Sequence, residues 1–403
     1  MTAEDPPTPV SPAPSLAETK PLADLVVSAP APRAASGPQP GIALCLSGGG
    51  YRAMLFHVGA LWRLLDAGVL ARVDRVSSVS GGSITAATLA LAWPELRLEE
   101  VGANERFQEL VVAPLRGMAC KTIDVPAVLW GILIPWRTVS GEVARRYAKR
   151  LFPGGPTLQE LPERPRFVIN ATNLQSTALW RFSRPYARDY LVGEIEHPRL
   201  KVAAAVAASS AFPPFLSPAR PRLAREVFAS HPSDELTGDA YRRRPILSDG
   251  GVYDNLGLET AWKRYRTVLV SDGGGKTEPQ AKVARDWLRQ SYRVLNVIDN
   301  QVRSLRKRAL IASYRDEART GAYWGIRTNI ANYRLENALP CPVEQTTRLA
   351  QIPTRLAKLD PVLQQRLINW GYAVCDAALR AHYEPKPAPP RGFPYPEAGV
   401  GSG

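Results

Sequence analysis

Two short apolar segments near the start of the chain each end in a serine–glycine turn that leads into helix-like sequence. The first, residues 42–46 (IALCL), precedes the turn at 47–50 (SGGG), and the second, residues 73–79 (VDRVSSV), precedes the turn at 80–82 (SGG). Apolar residues recur at helical spacing after the first turn, and an Ala/Leu-rich run follows the second. Because consecutive parallel strands must be joined by a crossover, these two units predict a parallel sheet covered by helices.

The rest of the chain continues this alternation of strand-like and helix-like segments. With 403 residues, of which 45% are hydrophobic and 22% are charged, it has the composition of a globular protein with a sizeable core. We therefore expect the α/β class, as a three-layer sandwich with a mostly parallel central sheet between helices. Further strands are predicted at 166–170, 245–248 and 267–271, and further helices at 202–211 and 256–265.

The two ends of the chain differ in composition from this middle part. Residues 1–40 are rich in proline, alanine and serine, and proline is frequent again in residues 384–403. Such segments bury too little apolar surface to offset the conformational entropy lost on folding. The sequence thus predicts a disordered leader at 1–40, one folded domain at 41–383 and a disordered tail at 384–403.

The charge of the chain limits its partners. A formal net charge of +14 favours anionic partners such as phospholipid headgroups, nucleic acid or acidic proteins. The absence of zinc-finger spacing and of a Lys/Arg-rich tail disfavours nucleic acid. The first residues lack the pattern of a secretory signal, and the longest uncharged apolar run, residues 125–136, is too short to span a bilayer. We expect a cytoplasmic protein that makes peripheral contact with anionic membranes.

Ser80 lies where the second strand turns into its helix, and two interpretations of it are open. In a nucleophile elbow, G-x-S-x-G, a strained turn lifts the serine Oγ clear of the sheet at the positive end of the helix dipole. Here Ser78 replaces the first glycine of that pattern, while Gly82 keeps the last. Alternatively, Ser80 is a helix N-cap with no chemical role.

The glycine run Gly48, Gly49 and Gly50 closes the first strand. Consecutive glycines allow neighbouring backbone N–H groups to point into one concavity, where they bind a phosphate or an oxyanion. Neither the P-loop pattern G-K-[ST] nor the dinucleotide pattern G-x-G-x-x-G continues from these glycines. Beside a serine elbow, the run is better explained as an oxyanion hole.

A candidate base for Ser80 is Asp249, which precedes Gly250 and Gly251 and therefore lies on a tight turn. A carboxylate can accept the serine proton directly when burial and close positioning raise its basicity. Asp272 is a second candidate, because it also follows a strand and precedes glycines. The residue types alone leave both aspartates open.

Taken in order, GGGYR, the S-x-G elbow and DGGVYDN resemble the motifs of the patatin-like phospholipase family, and the resemblance extends over residues 41–383. Residues 207–218 (AASSAFPPFLSP) and 299–315 also resemble family segments, the latter those of a bacterial-type subgroup. In this family the catalytic aspartate lies in a D-G-G/A turn that continues x-x-x-N. Asp249 has that continuation and Asp272 does not, so the resemblance favours Asp249.

The resemblance implies a serine acyl hydrolase that cleaves fatty-acyl esters of phospholipids or other lipids and needs no metal or organic cofactor. In it, Ser80 is the nucleophile, Asp249 is its base, and the amides of the glycine run form the oxyanion hole. The supporting residues are expected to be Arg52, His57, Gly82 and Gly250. Two alternatives stay open: a Ser-His-Asp esterase or thioesterase that uses His57, and a catalytically inactive scaffold that binds a membrane or a protein.

Several neighbouring features have two explanations each. Arg52 either braces the first helix or neutralises a phosphate, and His57 either supports the glycine loop by hydrogen bonding or acts as a base. The apolar run at 125–136 is either core packing or a lid that contacts lipid. A basic cluster is either a solvated helix face or a patch for anionic membranes; its members are Arg303, Arg306, Lys307 and Arg308.

Overall fold

A computed structural model describes residues 37–125, 127, 138–223, 226–230 and 234–401. Of the predicted leader at 1–40, residues 1–36 lie outside these residues, whereas residues 39–40 already belong to the first strand of the sheet, so the prediction is wrong for them. Nearly all of the apolar run at 125–136 also lies outside these residues. Among the helices of the described part, none combines the length and the apolar character that crossing a bilayer requires.

One mixed sheet of ten strands forms the centre of the fold. Its five longest strands are β1 Gln39–Leu46, β2 Arg75–Val79, β3 Arg166–Asn173, β9 Tyr265–Asp272 and β10 Thr320–Gly325. They run parallel in the order β10–β9–β1–β2–β3. Short antiparallel strands continue the sheet beyond β3, namely β4 Leu179–Phe182, β5 Tyr186–Asp189, β6 Gly193–Glu196 and β7 Phe228–Ala229. Strand β8 Leu247–Asp249 pairs with β3, and its Leu247 also bridges Ala219. The predicted α/β fold with a mostly parallel central sheet is confirmed.

Helices cover this sheet on both faces. The first four are α1 Gly50–Asp66, α2 Gly81–Leu96, α3 Ala103–Phe107 and α4 Ala113–Ala119. The next five are α5 Val139–Arg150, α6 Val202–Ser209, α7 Asp239–Arg242, α8 Gly251–Asp254 and α9 Glu259–Trp262. The last three are α10 Trp287–Arg315, α11 Val343–Gln351 and α12 Pro361–His382.

Strand β1 shows why the sheet lies between two helical layers. Successive side chains of a strand point to opposite faces, and on β1 both sets are apolar. Leu44 and Leu46 belong to the large core that includes α1, α2 and α12. Ala43 and Cys45 belong to a smaller core on the other face, together with Leu310 of α10. A strand that is buried on both sides is typical of the centre of an α/β sheet.

The predicted helix at 256–265 is much shorter in the structure. Only residues 259–262 are helical, because Gly257 has a φ of +70° and Tyr265 already begins β9. The left-handed conformation of Gly257 before the helix and the start of β9 after it leave room for a single helical turn. The periodicity of the segment gave no sign of either limit.

The tail also differs from its prediction as a disordered segment. Residues 384–401 lie against the folded domain, and Val400 is buried. The Asn369 side chain of α12 donates hydrogen bonds to the carbonyls of Tyr395 and Gly399, both at 2.7 Å, and the Tyr395 ring packs edge-on against Trp62. The packing of Tyr395 and the hydrogen bonds of the buried Asn369 side chain thus offset the conformational entropy lost when the tail is ordered. The composition of the tail does not reveal these contacts.

Helices α1 and α12 cross in contact at two glycines, and this crossing generates a test of the fold. A Cβ added at Gly59 would lie 1.8 Å from the carbonyl oxygen of Ile368, and one at Gly371 would lie 1.9 Å from that of Phe56. We expect Gly59→Ala to lower the free energy of unfolding by at least about 2 kcal/mol, because backbone atoms must move apart. The control, Gly117→Ala on α4, has open space around its Cβ and should be neutral or slightly stabilising. Urea denaturation of both variants measures the difference, and equal effects would contradict the close crossing.

Candidate active site

Ser80 and Asp249 come together because β2 and β8 meet end to end along one edge of β3. Val79, the last residue of β2, pairs with Asn170 of β3. The next residue of β3, Ala171, pairs with Asp249 at the end of the antiparallel β8. Strand β4 occupies the other edge of β3 at residues 169–172, so β2 and β8 must share the remaining edge. The two strands therefore deliver the serine and the aspartate to the same point.

Ser80 has the strained backbone of a nucleophile elbow. Its φ of 51° and ψ of −119° lie in a region that non-glycine residues rarely adopt, at a cost of about 1–3 kcal/mol. Its side chain makes no capping hydrogen bond to helix α2, which argues against the N-cap interpretation. Its N–H donates to the hydroxyl of Ser209 at 2.9 Å, and that hydroxyl also contacts the Ser83 hydroxyl at 2.9 Å. Serine side chains thus hold the turn in place.

The glycines around Ser80 are required by close backbone approach. A Cβ at Gly81 would lie 2.2 Å from the carbonyl oxygen of Gly50, and one at Gly82 would lie 2.4 Å from that of Leu46. At the aspartate turn, a Cβ at Gly250 would lie 2.4 Å from the carbonyl oxygen of Asn170. Any larger residue would push the elbow, the glycine loop and the aspartate turn apart.

The three glycine amides predicted to form an oxyanion hole have different surroundings. The Gly48 N–H donates to the carbonyl of Asn255 at 3.0 Å, so this amide is already paired and the prediction for it needs correction. For the amides of Gly49 and Gly50, the described residues supply no hydrogen-bond acceptor. Gly49 has a φ of 143° and Gly50 a φ of 61°, a backbone path that turns the loop sharply beside Ser80. Two free N–H groups suffice for an oxyanion.

Asp249 is buried, and its two carboxylate oxygens have different surroundings. Oδ1 accepts the Gly251 N–H at 2.7 Å, whereas Oδ2 has no hydrogen-bond partner among the described residues. Burial raises the pKa of Asp249 to about 7, although the Gly251 amide and the nearby Ser80 hydroxyl favour its ionised form. Among the described residues, Oδ2 therefore accepts no hydrogen bond from Ser80 Oγ. A carboxylate with a pKa near neutrality and a free oxygen is equipped to take a proton.

Asp272, the second aspartate considered, has a different environment. Its Oδ2 accepts the Tyr323 hydroxyl at 2.8 Å, and its Oδ1 accepts the Gly274 N–H at 2.9 Å. Burial opposes its ionisation, but Arg303, Tyr323 and Gly274 outweigh this effect and lower its pKa. It lies at the end of β9, on the far side of β1 from β2. Asp272 is a satisfied structural anion rather than a base.

His57 is fully buried and bonded through both ring nitrogens. Nε2 lies 2.9 Å from the Ser47 carbonyl oxygen and Nδ1 lies 2.8 Å from the Ser271 hydroxyl. Since a carbonyl can only accept, Nε2 carries the proton and Nδ1 accepts from Ser271. Burial lowers the pKa of His57 to about 4, so the ring is neutral at physiological pH. These contacts fit support of the loop that begins at Ser47 and leave no nitrogen free for Ser80.

Arg52 is likewise buried, and it braces the loops behind the site. Its guanidinium donates to the carbonyls of Gly273, Ala350 and Ile352 and to the hydroxyl of Thr354. Burial lowers its pKa to about 10, so it stays charged at neutral pH. With its donors directed to protein oxygens, the side chain has the structural role rather than the phosphate-binding one.

The sequence match and the geometry now lead to the same family. A family model described as patatin-like phospholipase matches residues 44–262, more than half of the chain. The chain belongs to the patatin-like phospholipase family. The predicted resemblance is thereby confirmed, while its bacterial-type subgroup stays a prediction. A search of curated proteins finds no significant match.

This patatin-like chain is also similar to several solved structures. Human GIVD cytosolic phospholipase A2 is 12% identical, with a TM-score of 0.48, over 83% of this chain and 60% of its own. The same protein in complex with methyl gamma-linolenyl fluorophosphonate is 14% identical, with a TM-score of 0.49, over 83% and 57%. VipD from Legionella pneumophila is 14% identical, with a TM-score of 0.36, over 84% and 66%. The chain thus spans less than two thirds of each of these structures.

Some residues of this patatin-like site were not predicted from the sequence. Ser209 ends the Ala-rich helix α6 and holds the Ser80 amide, but a serine at a helix end carries no distinctive signal. Asn255 was noted only as part of the aspartate motif. In the structure its carbonyl accepts the Gly48 N–H, and its side chain fills the space beside Gly48 and Gly251. It therefore joins the glycine loop to the aspartate turn.

The raised pKa of Asp249 predicts a specific pH dependence of stability. A carboxyl whose pKa rises from 3.8 to about 7 on folding stabilises the folded state while it is protonated, and this contribution is lost as the pH rises through about 7. A shift of this size corresponds to roughly 4 kcal/mol. Asp249→Asn stays neutral, so its stability relative to the natural protein should increase by up to roughly 4 kcal/mol between about pH 4 and pH 8.

Urea denaturation at the two pH values measures this change. Asp272→Asn is the matched control, because the pKa of Asp272 is lowered, so the pH-dependent change of its variant falls mainly below about pH 4 and its relative stability should stay nearly constant between pH 4 and pH 8. The same pH trend in both variants would contradict the assigned surroundings of Asp249.

Proposed function

We propose that this patatin-like chain hydrolyses fatty-acyl esters of phospholipids or other acyl lipids through a dyad of Ser80 and Asp249. The observation that carries the proposal is the pairing of a strained serine elbow with a buried aspartate that has a free Oδ2 and a pKa near 7. Membership in the patatin-like phospholipase family supports the class of substrate. The free amides of Gly49 and Gly50 support an acyl-transfer site, because they can bind the charge that develops on a carbonyl oxygen.

In the first half of the reaction, Asp249 takes the proton from Ser80 Oγ while Oγ bonds to the carbonyl carbon of the ester. The π electrons of the carbonyl move to its oxygen, and the amides of Gly49 and Gly50 donate to that oxyanion. As the carbonyl reforms, the bond to the alcohol breaks, and the alcohol takes the proton from Asp249. The fatty-acyl group is then esterified to Ser80.

In the second half, a water molecule gives its proton to Asp249 and attacks the same carbonyl carbon. The oxyanion again forms against the glycine loop and collapses with cleavage of the bond to Ser80 Oγ. Ser80 regains its proton from Asp249, and the fatty acid leaves. Asp249 thus acts in each half first as base and then as acid, which a pKa near 7 permits in both directions.

The two alternatives have less support. A Ser-His-Asp esterase requires a histidine nitrogen that faces the nucleophile, and both nitrogens of His57 are bonded to Ser47 and Ser271. An inactive scaffold would have no need to keep a strained serine beside a buried carboxylate, since each costs stability.

A fluorophosphonate probe and three variants test the dyad. We expect the probe to label the natural protein and not Ser80→Ala, and Asp249→Asn to lower the rate of ester hydrolysis by at least about a hundredfold because it removes the general base. His57→Gln should reduce the rate far less, since it removes only a support of the glycine loop. Labelling at a serine other than Ser80, or a larger loss in His57→Gln than in Asp249→Asn, would refute the dyad.

The pH profile of the same reaction offers an independent test. Asp249 must be ionised to accept a proton, so kcat/KM for a soluble ester should rise with pH and level off above a midpoint near 7. The free enzyme determines this midpoint, and steady-state kinetics between about pH 5 and pH 9 measure it. A flat profile across this range, or a midpoint near 4, would argue against a buried aspartate as the base.

A further inference from the structure

The first half of helix α10 extends from the domain with a large apolar surface. Of the whole helix, only Leu310 and Ser313 near its end are buried. Trp287 is 77% exposed, and Leu288, Leu295 and Ile298 are each more than half exposed. Soluble proteins rarely leave so many large apolar side chains together in water, so this surface indicates an interaction site.

The exposed side chains of this segment are sorted by type around the helix. At 100° per residue, Trp287, Val294 and Ile298 form one stripe, and Leu288 and Leu295 form a second stripe beside it. Arg289 and Arg293 lie on the opposite side of the same turns. A wide apolar face with arginines on the opposite, polar face is typical of helices that lie in a membrane interface.

A second apolar segment continues this surface toward the catalytic pair. Phe215 is 63% exposed, and its ring contacts that of Tyr292 on α10, with 6.5 Å between the centroids. The segment begins directly after Ala211, whose carbonyl accepts the Asp249 N–H at 2.9 Å. Val252, half exposed, follows the glycine that bonds to the Asp249 carboxylate. The apolar surface therefore reaches the turns that hold the reacting groups.

The positive charge of this region favours an anionic partner over a neutral one. Residues 281–298 contain four basic residues and one acidic residue; the basic ones are Lys282, Arg285, Arg289 and Arg293. Of the basic cluster predicted further along the helix, Lys307 and Arg308 are exposed, but Arg303 and Arg306 are not available for this role. Arg303 and Arg306 point inward and bond to the carbonyls of Gly275 and Tyr253, and Lys307 lies over the Tyr323 ring.

We propose that the first half of α10, together with the segment at 212–215, is a docking surface for an anionic lipid bilayer. This inference rests on the proposed function and adds that the lipid substrate is part of a membrane when the protein binds it. The apolar stripes enter the acyl region while the basic residues stay at the headgroups. Docked in this way, the protein brings the turns of Ser80 and Asp249 to the lipid surface.

Vesicle binding tests the surface separately from catalysis. In a Ser80→Ala background, which keeps the vesicles intact, the full chain should bind vesicles of phosphatidylcholine with phosphatidylglycerol and should bind pure phosphatidylcholine much more weakly. Substituting Trp287, Leu295 and Ile298 together by serine should weaken binding at least about tenfold. The matched control replaces exposed valines of other elements, Val101→Ser with Val343→Ser, and should bind like the parent.

Removing charge tests the choice of lipid. Lys282→Gln with Arg285→Gln should weaken binding to the anionic vesicles by about fivefold per charge and leave the weak binding to phosphatidylcholine unchanged. The control, Arg97→Gln with Arg348→Gln, removes two exposed arginines elsewhere and should have little effect. Equal binding of all variants to both kinds of vesicle would overturn the proposal.

Two further measurements separate the competing explanations. When Ser80 is kept, the variant with serine at positions 287, 295 and 298 should hydrolyse a soluble short-chain ester at the rate of the natural protein but lose activity on vesicles. If the natural protein does not hydrolyse the soluble ester, the proposed function itself is refuted. An environment-sensitive dye on Leu295→Cys should shift to the blue only when anionic vesicles are added. A blue shift without vesicles would overturn the proposal. If that shift depends on protein concentration, a second copy of the chain covers the surface; if it does not, another segment of the same chain covers it.

Discussion

The proposed catalytic arrangement depends on the way in which two strands share one edge of a third. Strand β2 runs parallel to β3 and ends at Val79, opposite Asn170 of β3, and β8 runs antiparallel to β3 from the opposite end. Their ends abut because β4 fills the other edge. An alcohol on the turn after β2 and a carboxylate at the end of β8 must therefore face each other, although they are far apart in the sequence.

The close backbone packing where β2 and β8 meet explains why glycines are required there and why the pKa of Asp249 is raised. Gly81, Gly82 and Gly250 each contact a backbone carbonyl that a side chain would displace. The same close packing removes water from Asp249, and this desolvation raises its pKa to about 7. In the proposed dyad, two costs in folding stability, a strained serine and a buried carboxyl, supply a nucleophile and a base matched to neutral pH.

The sequence predicted the parts that depend on local signals. Strand-turn-helix periodicity predicted the parallel centre of the sheet, and the resemblance of the three motifs to those of the patatin-like phospholipase family predicted the family. It could not predict that the Gly48 amide bonds to Asn255 or that the tail packs on α12, because both depend on contacts between distant segments. For the same reason it misjudged the basic residues of α10. Arg303 and Arg306 are exposed on a helical projection alone, yet the neighbouring loops of the folded chain enclose them.

The most direct measurement is a crystal structure of the protein after reaction with an alkyl fluorophosphonate. We expect phosphorus bonded to Ser80 Oγ, a phosphoryl oxygen about 2.7–3.1 Å from the amides of Gly49 and Gly50, and Asp249 Oδ2 as the nearest titratable atom to Oγ. An adduct whose phosphoryl oxygen lies away from the glycine loop, or whose nearest titratable group is His57, would contradict it.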